Sequence, residues 1–249
     1  MGKIIAIGGG ENGRPGYEYE TELIDKEIIR LTGKDKCNVL FIPTASNDSD
    51  GYTACMNNIF ENKLGCSMTT LELIKKDYSN SDLREMILNT DAIYVGGGNT
   101  QKMITIWKEK GIDKLLHEAY ENGVVLSGLS AGSICWFKYG DSDSLKFEDE
   151  DAELIRVKGI NLINALHCPH YNKEINRKES LKKIMKTTDT VAIALDNCAA
   201  LEIVDDKYRI ITSNNEANGY RTYWKDGIYH EEVIEKTDEF VNIDKLLNI

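Results

Sequence analysis

The sequence predicts an α/β fold in which a mostly parallel sheet is covered by helices on both faces. Short apolar segments alternate with amphipathic helical segments through the first half of the chain, which is typical of parallel β-α-β units. The short segments are apolar throughout, as expected for strands buried on both sides. Polar or glycine-rich loops follow them, and such loops carry the ligands of α/β sheets.

Five strands and five helices are predicted in the first half of the chain. The strand candidates are residues 3–7, 37–42, 67–73, 92–95 and 124–127. The helix candidates are residues 20–31, 52–64, 82–88, 100–107 and 112–122, with apolar residues at helical spacing. Gly123 closes the last of these helices as a C-cap.

The second half of the chain predicts a β-rich C-terminal part. Residues 141–153 are polar and acidic, and we expect them to form a solvated excursion. Residues 190–195 predict another strand, and residues 201–241 predict short β segments separated by turns. Neither an internal repeat nor a low-complexity linker interrupts the chain. A single domain over residues 1–249 is therefore the simplest expectation.

Composition and charge argue against several classes of protein. The net charge of −11 makes nucleic acid an unfavourable partner. No apolar run reaches the roughly 18 to 20 residues that a membrane-spanning helix needs. The six cysteines form no Cys-x-x-Cys pair, which disfavours a zinc site or a disulfide framework and favours a reducing, cytoplasmic setting.

The segment Gly128-Leu129-Ser130-Ala131-Gly132 has the form Gly-x-Ser-x-Gly and follows a predicted strand. In this motif a sharp strand-to-helix turn raises the serine hydroxyl above the sheet. The amide of Ala131 could then donate to an oxyanion. An N-cap serine in a glycine-bracketed turn is the alternative interpretation. We expect a helix over residues 131–137 after the turn.

A serine nucleophile needs a base, and the chain has four histidines. His170 directly follows Pro169, whose ring restricts the local backbone, so its side chain could be held in one direction. His167 lies in the same loop and could instead be packed beneath it. His117 and His230 are expected at the surface. A metal bound by the loop pair would need a third ligand, and none is evident nearby.

Two glycine runs follow predicted strands. Gly96-Gly97-Gly98 could supply a second oxyanion donor or a phosphate cradle, although the lysine of a P-loop is missing. Gly8, Gly10 and Gly13 match Gly-x-Gly-x-x-Gly by letter. Pro15 and Gly16 then interrupt the helix that a dinucleotide site requires, which argues against nucleotide binding there.

The motifs Gly-Gly-Asn-Thr, Gly-Leu-Ser-Ala-Gly and Pro-His-Tyr, in this order, resemble the peptidase E family, which includes the cyanophycinases. The resemblance implies a flavodoxin-like three-layer sandwich related to class I glutamine amidotransferases. It also implies hydrolysis of a peptide or isopeptide bond without metal or cofactor. By this resemblance Ser130 is the nucleophile, His170 the base, Gly98 an oxyanion donor beside Ala131, and Asn99 a substrate-binding residue.

Two positions depart from the family pattern. Members often place an acidic third catalytic residue after the late strand, where this chain has Asp196-Asn197. Asp196 suits the chemistry, Asn197 suits the alignment, and an acid from residues 141–143 is a third possibility. Aspartyl dipeptidases of the family also hold an acidic side chain with arginine. Arg177 could match that residue, but Ser180 stands where a second arginine is sought.

We therefore expect a cytoplasmic serine peptidase or isopeptidase that acts on small peptides, as a monomer or homodimer. It could prefer acidic N-terminal residues through Arg177. A non-catalytic small-molecule or nucleotide binder of the same fold is the alternative. An amidotransferase-like hydrolase would require cysteine where Ser130 stands, and the nearest thiol, Cys135, is expected in the core.

Overall fold

The computed structural model describes residues 2–173 and 176–249, and these form two β-sheets with helices packed around them. The strands are β1 (Lys3–Ile7), β2 (Asn38–Ile42), β3 (Ser67–Thr70), β4 (Ala92–Val95), β5 (Val125–Leu129), β6 (Phe137–Ser142), β7 (Ile155–Lys158), β8 (Ile163–Cys168), β9 (Ala192–Leu195), β10 (Ala199–Val204), β11 (Lys207–Thr212), β12 (Gly219–Lys225), β13 (Ile228–Val233) and β14 (Val241–Asn242). The five strands predicted for the first half are thus confirmed, with small shifts at their ends.

The helices fill the connections between these strands. They are α1 (Glu22–Thr32), α2 (Asp50–Asn57), α3 (Asn80–Leu88), α4 (Thr100–Lys110), α5 (Ile112–Glu121), α6 (Ala131–Ile134), α7 (Arg177–Met185) and α8 (Asp244–Leu247). A π-helical turn at Asn58–Lys63 extends α2, and short 3-10 helices lie at Thr44–Ser46 and Ser144–Phe147. No helix among the described residues combines the length and apolarity that crossing a bilayer requires.

The larger sheet has the strand order β14-β11-β10-β1-β5-β4-β2-β3. Strands β1, β5, β4, β2 and β3 run parallel, and β10 and β11 extend the sheet with antiparallel pairing. Strands β2 to β5 follow the order 2-1-3-4 of the flavodoxin-like arrangement. The position of its fifth strand is occupied by β1, which begins the chain.

A second sheet has the order β13-β12-β9-β8-β6-β7. Its centre is parallel, since β8 pairs in parallel with both β6 and β9. The loops that carry His170 and Asn197 follow β8 and β9, whereas Ser130 follows β5 of the larger sheet. The two sheets must therefore meet for these residues to come together.

One hydrophobic cluster joins the sheets. It contains Val95 and Leu126 of the larger sheet together with Ala165 and Ile193 of the second. Trp107 lies in the same cluster, and its ring is 6.5 Å from that of Trp136. Burial of apolar side chains supplies roughly 1.5–3 kcal/mol for each large residue, so this shared core holds the two sheets in place.

Two predictions for residues 131–153 are wrong. The helix after Ser130 ends at Ile134 rather than residue 137, because Phe137 begins β6 and pairs with Ile163 of β8. The solvated excursion begins later than expected. Asp141 is fully buried in β6, where its carboxylate accepts a hydrogen bond from Ser180. Only residues 145–151 form an exposed run.

A buried carboxyl group anchors the loop between β1 and α1. Asp25 is inaccessible to solvent, and one of its oxygens accepts hydrogen bonds from the hydroxyls of Tyr19 and Thr21, each at 2.8 Å. Thr21 in turn accepts a hydrogen bond from the Asn12 side chain. Burial raises the pKa of Asp25 to about 7. An aspartate in an unfolded chain titrates near about 3.9.

The folded protein therefore retains a proton on Asp25 that the unfolded chain loses between about pH 4 and pH 7. Stability should fall as the pH rises through this window. Between pH 5 and pH 8 the free energy of unfolding of the wild-type protein should fall by about 2 kcal/mol more than that of Asp25→Asn, which has no carboxyl group to titrate at this position. Urea denaturation at the two pH values measures this, with exposed Asp77→Asn as control. An identical pH dependence in wild type and Asp25→Asn would contradict it.

Candidate active site

Ser130 lies at a sharp turn between β5 and α6. Its backbone has φ 58° and ψ −112°, an unfavourable conformation for a residue with a side chain. A Cβ atom on Gly128 would overlap the carbonyl of Gly132, and a Cβ on Gly132 would overlap the carbonyl of Val95. Both glycines of the motif are therefore required for the turn to pack against β4.

Ser130, His170 and Asn197 form a hydrogen-bonded chain. The Ser130 hydroxyl lies 2.8 Å from His170 Nε2, and His170 Nδ1 lies 2.8 Å from Asn197 Oδ1. Because the Asn197 oxygen accepts, Nδ1 carries the ring proton, and Nε2 is left to accept from the serine. This is the arrangement that a general base needs to remove the hydroxyl proton.

The other candidates for the third position make different contacts. Asp196 is 3% exposed, and its carboxylate accepts a hydrogen bond from the Asn218 amide at 2.9 Å. Burial raises the pKa of Asp196. The carboxylate of Asp141 is buried against Ser180. The residue in contact with Nδ1 is thus Asn197, which fixes the tautomer but brings no negative charge.

The end of β1 connects the three segments that carry Ser130, His170 and Asn197. Three successive backbone carbonyls accept hydrogen bonds from the amides of three segments that arrive from different strands. The pairs are Ile7 O with Ser130 N at 3.1 Å, Gly8 O with His170 N at 3.0 Å, and Gly9 O with Cys198 N at 2.8 Å. The same short stretch of backbone therefore sets the spacing of Ser130, His170 and the loop that carries Asn197.

This role explains the first glycine run. A Cβ atom on Gly9 would overlap Nδ1 of His170 and Oδ1 of Asn197. A Cβ on Gly8 would lie 2.5 Å from the carbonyl oxygen of Asp196. The match to a dinucleotide fingerprint therefore has another physical cause, because the space above these glycines is filled by the loops after β8 and β9.

The second glycine run lies beside Ser130. A Cβ on Gly97 would be 3.5 Å from Ser130 Cβ, and the Gly97 amide donates to the Tyr52 hydroxyl at 3.3 Å. Gly98 has φ 136°, and a Cβ there would overlap the Ala45 carbonyl. Within the described parts of the chain, the Gly98 and Ala131 amides have no hydrogen-bond acceptor. Both are available as oxyanion donors.

The two side chains predicted to bind substrate, Asn99 and Arg177, both make hydrogen bonds within the protein. Asn99 caps α4 by accepting from the Lys102 amide at 3.0 Å, and it donates to the Ser144 carbonyl at 3.1 Å. Arg177 is 1% exposed and donates to the backbone carbonyl of Asp141 at 2.7 Å. Burial within the protein removes Arg177 from the surface that a substrate carboxylate would approach.

The remaining histidines are also engaged inside the protein. His117 lies 2.8 Å from the Ile160 carbonyl, and His230 stacks on Tyr223 with ring centroids 4.9 Å apart, so both are half-buried rather than surface residues. His167 is fully buried. No group of three His, Cys, Asp or Glu residues in the described ranges is placed to hold a metal ion.

A pocket of about 480 Å³ is lined by residues of the loop after β1 and of the start of α2, and neither Ser130 nor His170 is among them. Tyr52, whose hydroxyl accepts from Gly97, forms part of its wall. Its other lining residues are Glu11, Asn12, Arg14, Pro15, Ser49, Gly51 and Cys55. Arg14 forms two hydrogen bonds to Glu11, so the rim carries both charges.

Sequence reasoning missed the β1 carbonyls, Tyr52 and this pocket. Backbone acceptors carry no side-chain pattern, although glycines directly after a strand indicate close approach of another group. Tyr52 lies on a predicted helix far from the motifs in sequence. Only the pairing of strands brings it next to Gly97.

The model of peptidase family S51 matches residues 4–211 of the chain. The chain belongs to peptidase family S51, the peptidase E family. It is 35% identical over 225 residues to the uncharacterized peptidase YgaJ of Bacillus subtilis, covering 89% of this chain and 92% of that one. It is 25% identical over 197 residues to a peptidase E of Nostoc, covering 75% and 77%.

A solved structure supports the fold. The chain resembles the crystal structure of a peptidase from an acI-B1 actinobacterium with a TM-score of 0.71. The match covers 97% of each chain at 19% sequence identity. This S51 member therefore shares its fold with the actinobacterial peptidase along nearly its whole length.

The close packing at Gly9 generates a prediction. In Gly9→Ala the new methyl group should displace His170 and Asn197, while the backbone hydrogen bonds of β1 remain. We expect the rate of reaction with a fluorophosphonate probe to fall by at least about 100-fold, because small displacements of catalytic groups are costly. Circular dichroism should show a retained fold. Labelling at the wild-type rate would contradict the proposed spacing role.

The identity of the third residue generates another prediction. Asn197→Ala should slow fluorophosphonate labelling by about 10- to 100-fold, because His170 loses the acceptor that fixes its tautomer. Asn197→Asp should restore or exceed the wild-type rate, because a carboxylate stabilises the imidazolium. Asp196→Asn is the matched control and should label normally. Loss of labelling in Asp196→Asn with normal labelling in Asn197→Ala would reverse the assignment.

Proposed function

We propose that this S51 peptidase is a serine-type enzyme that hydrolyses small peptides through an acyl-enzyme on Ser130. The observation that carries the proposal is the 2.8 Å contact between the Ser130 hydroxyl and His170 Nε2 beside two amides that lack acceptors in the described chain. A nucleophile, its base and oxyanion donors within one site are what acyl transfer requires.

The reaction would proceed in two halves. In the first, Ser130 Oγ attacks the carbonyl carbon, and its proton passes to His170 Nε2. The oxyanion lies against the Gly98 and Ala131 amides. His170 then donates the proton to the leaving amine, the C–N bond breaks, and an ester to Ser130 remains. In the second half, His170 takes a proton from water, the hydroxide attacks the ester, and the acid leaves as Ser130 regains its proton.

Asn197 would give this reaction a neutral orienting residue. Its side-chain oxygen accepts a hydrogen bond from the Nδ1–H of His170 both before and after proton transfer at Nε2. A neutral amide stabilises the imidazolium less than a carboxylate does. Asn197 would therefore contribute to the reaction mainly by orienting the His170 ring rather than by neutralising its charge. The carbonyls of Ile7, Gly8 and Gly9, which accept the amides that fix this geometry, are backbone groups and do not titrate.

The pocket supports a small substrate. Its volume of about 480 Å³ suits one or two amino-acid residues, and its link to the Ser130 site is Tyr52, whose hydroxyl accepts a hydrogen bond from the Gly97 amide. The engagement of Arg177 with Asp141 leaves the expected preference for acidic N-terminal residues without its proposed carrier. We therefore propose small-peptide hydrolysis without an acidic preference that depends on Arg177.

A cytoplasmic location forms part of the proposal. It is supported by the cysteine pattern of the sequence, which has no Cys-x-x-Cys pair and favours a reducing compartment. We retain a monomer or homodimer as the proposed assembly.

Labelling of the wild-type protein by a fluorophosphonate probe tests the proposal. We expect stoichiometric labelling that disappears in Ser130→Ala, because the probe forms its bond to an activated serine oxygen. Turnover of a dipeptide panel, followed by amine release, should disappear in the same variant. Wild type and Ser130→Ala behaving alike, with both folded by circular dichroism, would favour the non-catalytic binder instead.

A further inference from the structure

Two buried polar side chains lie beneath the Ser130 turn and take no part in the proposed reaction. Ser133 lies in α6, three residues after Ser130, and His167 lies in β8, three residues before His170. Both are fully inaccessible to solvent. Buried polar groups are costly unless they are hydrogen-bonded, so their contacts show what they hold in place.

His167 is fixed on both ring nitrogens. Nδ1 lies 2.9 Å from the Ile193 carbonyl, and Nε2 lies 2.8 Å from the Ser133 hydroxyl. The ring also stacks on Phe137, with centroids 4.7 Å apart and an interplanar angle of 15°. Since a carbonyl can only accept, Nδ1 carries a proton and donates to Ile193.

His167 is therefore neutral with a free electron pair on Nε2. Its pKa is lowered to about 3, chiefly by burial and to a smaller extent by the neighbouring His170 and Arg177. The Ser133 hydroxyl also lies 2.7 Å from the carbonyl oxygen of Ser130. A hydroxyl has one proton, so Ser133 shares it between Nε2 of His167 and the Ser130 oxygen.

The Ser130 carbonyl is the point at which these contacts reach the site. It accepts hydrogen bonds from the Ser133 amide at 2.9 Å and the Ile134 amide at 3.0 Å, in addition to the Ser133 hydroxyl. This carbonyl and the Ala131 N–H belong to one planar trans peptide unit and point in opposite directions. The two amides, together with the Ser133 hydroxyl that His167 holds against the Ser130 oxygen and that shares its one proton between them, therefore set the direction of the Ala131 N–H.

We propose that His167, acting through Ser133, is a positioning residue that aims the Ala131 amide at the oxyanion. The inference rests on the proposed acyl transfer at Ser130. Neither side chain touches the substrate or the reacting atoms. Strand β8 then positions two parts of the machinery, since it carries His167 beneath the turn and leads into the loop of His170.

The test uses Ser133→Ala, His167→Phe and the double variant in the full chain. We expect each single variant to lower the rate constant of fluorophosphonate labelling, and kcat for a dipeptide, by about tenfold with KM unchanged. The double variant should be no slower than the slower single variant, because His167 acts through Ser133. Active serine should still titrate to one per molecule.

A matched control and a rescue variant separate positioning from general damage. Ser127 is also fully buried and donates to a backbone carbonyl, that of Ile93, at 2.8 Å. Ser127→Ala should label at the wild-type rate. His167→Gln supplies a side-chain oxygen that can accept from Ser133, and it should recover part of the rate lost in His167→Phe. If His167→Phe does not fold, the labelling rates of Ser133→Ala and His167→Gln test the positioning role instead.

Several results would overturn the inference. Wild-type kcat and labelling rates in Ser133→Ala would do so, as would a double variant whose loss is the product of the two single losses. An equal loss in Ser127→Ala would show a general packing effect instead. Absence of Ser130-dependent labelling in the wild-type protein would remove the proposed function itself, which is a distinguishable outcome.

Discussion

The site depends on a row of backbone carbonyls at the end of β1. Ile7, Gly8 and Gly9 each accept one amide, and the three amides belong to segments that follow β5, β8 and β9. The first of these strands lies in the larger sheet and the other two in the second sheet. One strand end carries all three acceptors. The packing of the two sheets against each other therefore determines how Ser130, His170 and Asn197 lie relative to one another.

This constraint also explains why unfavourable backbone conformations occur here. Ser130 has φ 58° and His170 has φ 55°, both in the left-handed region. Such residues cost about 1–3 kcal/mol each and persist only where the surroundings hold them. The β1 carbonyls hold the amides of both residues, and the buried pair of Ser133 and His167 holds the carbonyl side of the serine turn.

Prediction from sequence succeeded where the pattern is local. The Ser130 turn is encoded by neighbouring glycines, and the strand before it by a continuous apolar run. It failed for Asp141, whose acidic surroundings in sequence suggested solvent although its strand is buried. The second sheet was also missed, because an apolar strand such as β8 has the same composition whichever sheet it joins. Pairing is decided by contacts between residues far apart in the chain.

The sequence by itself determined the α/β class, the family motifs and the positions of Ser130 and His170. Those features follow from spacing within a few residues. Only the tertiary structure shows that Asn197, and not Asp196, contacts His170 Nδ1, since adjacent residues after a strand point in different directions. It also buried Arg177 and turned the first glycine run into a support for the site. Each of these outcomes depends on contacts with segments that are distant in sequence. A local sequence pattern does not specify which distant segment packs against it.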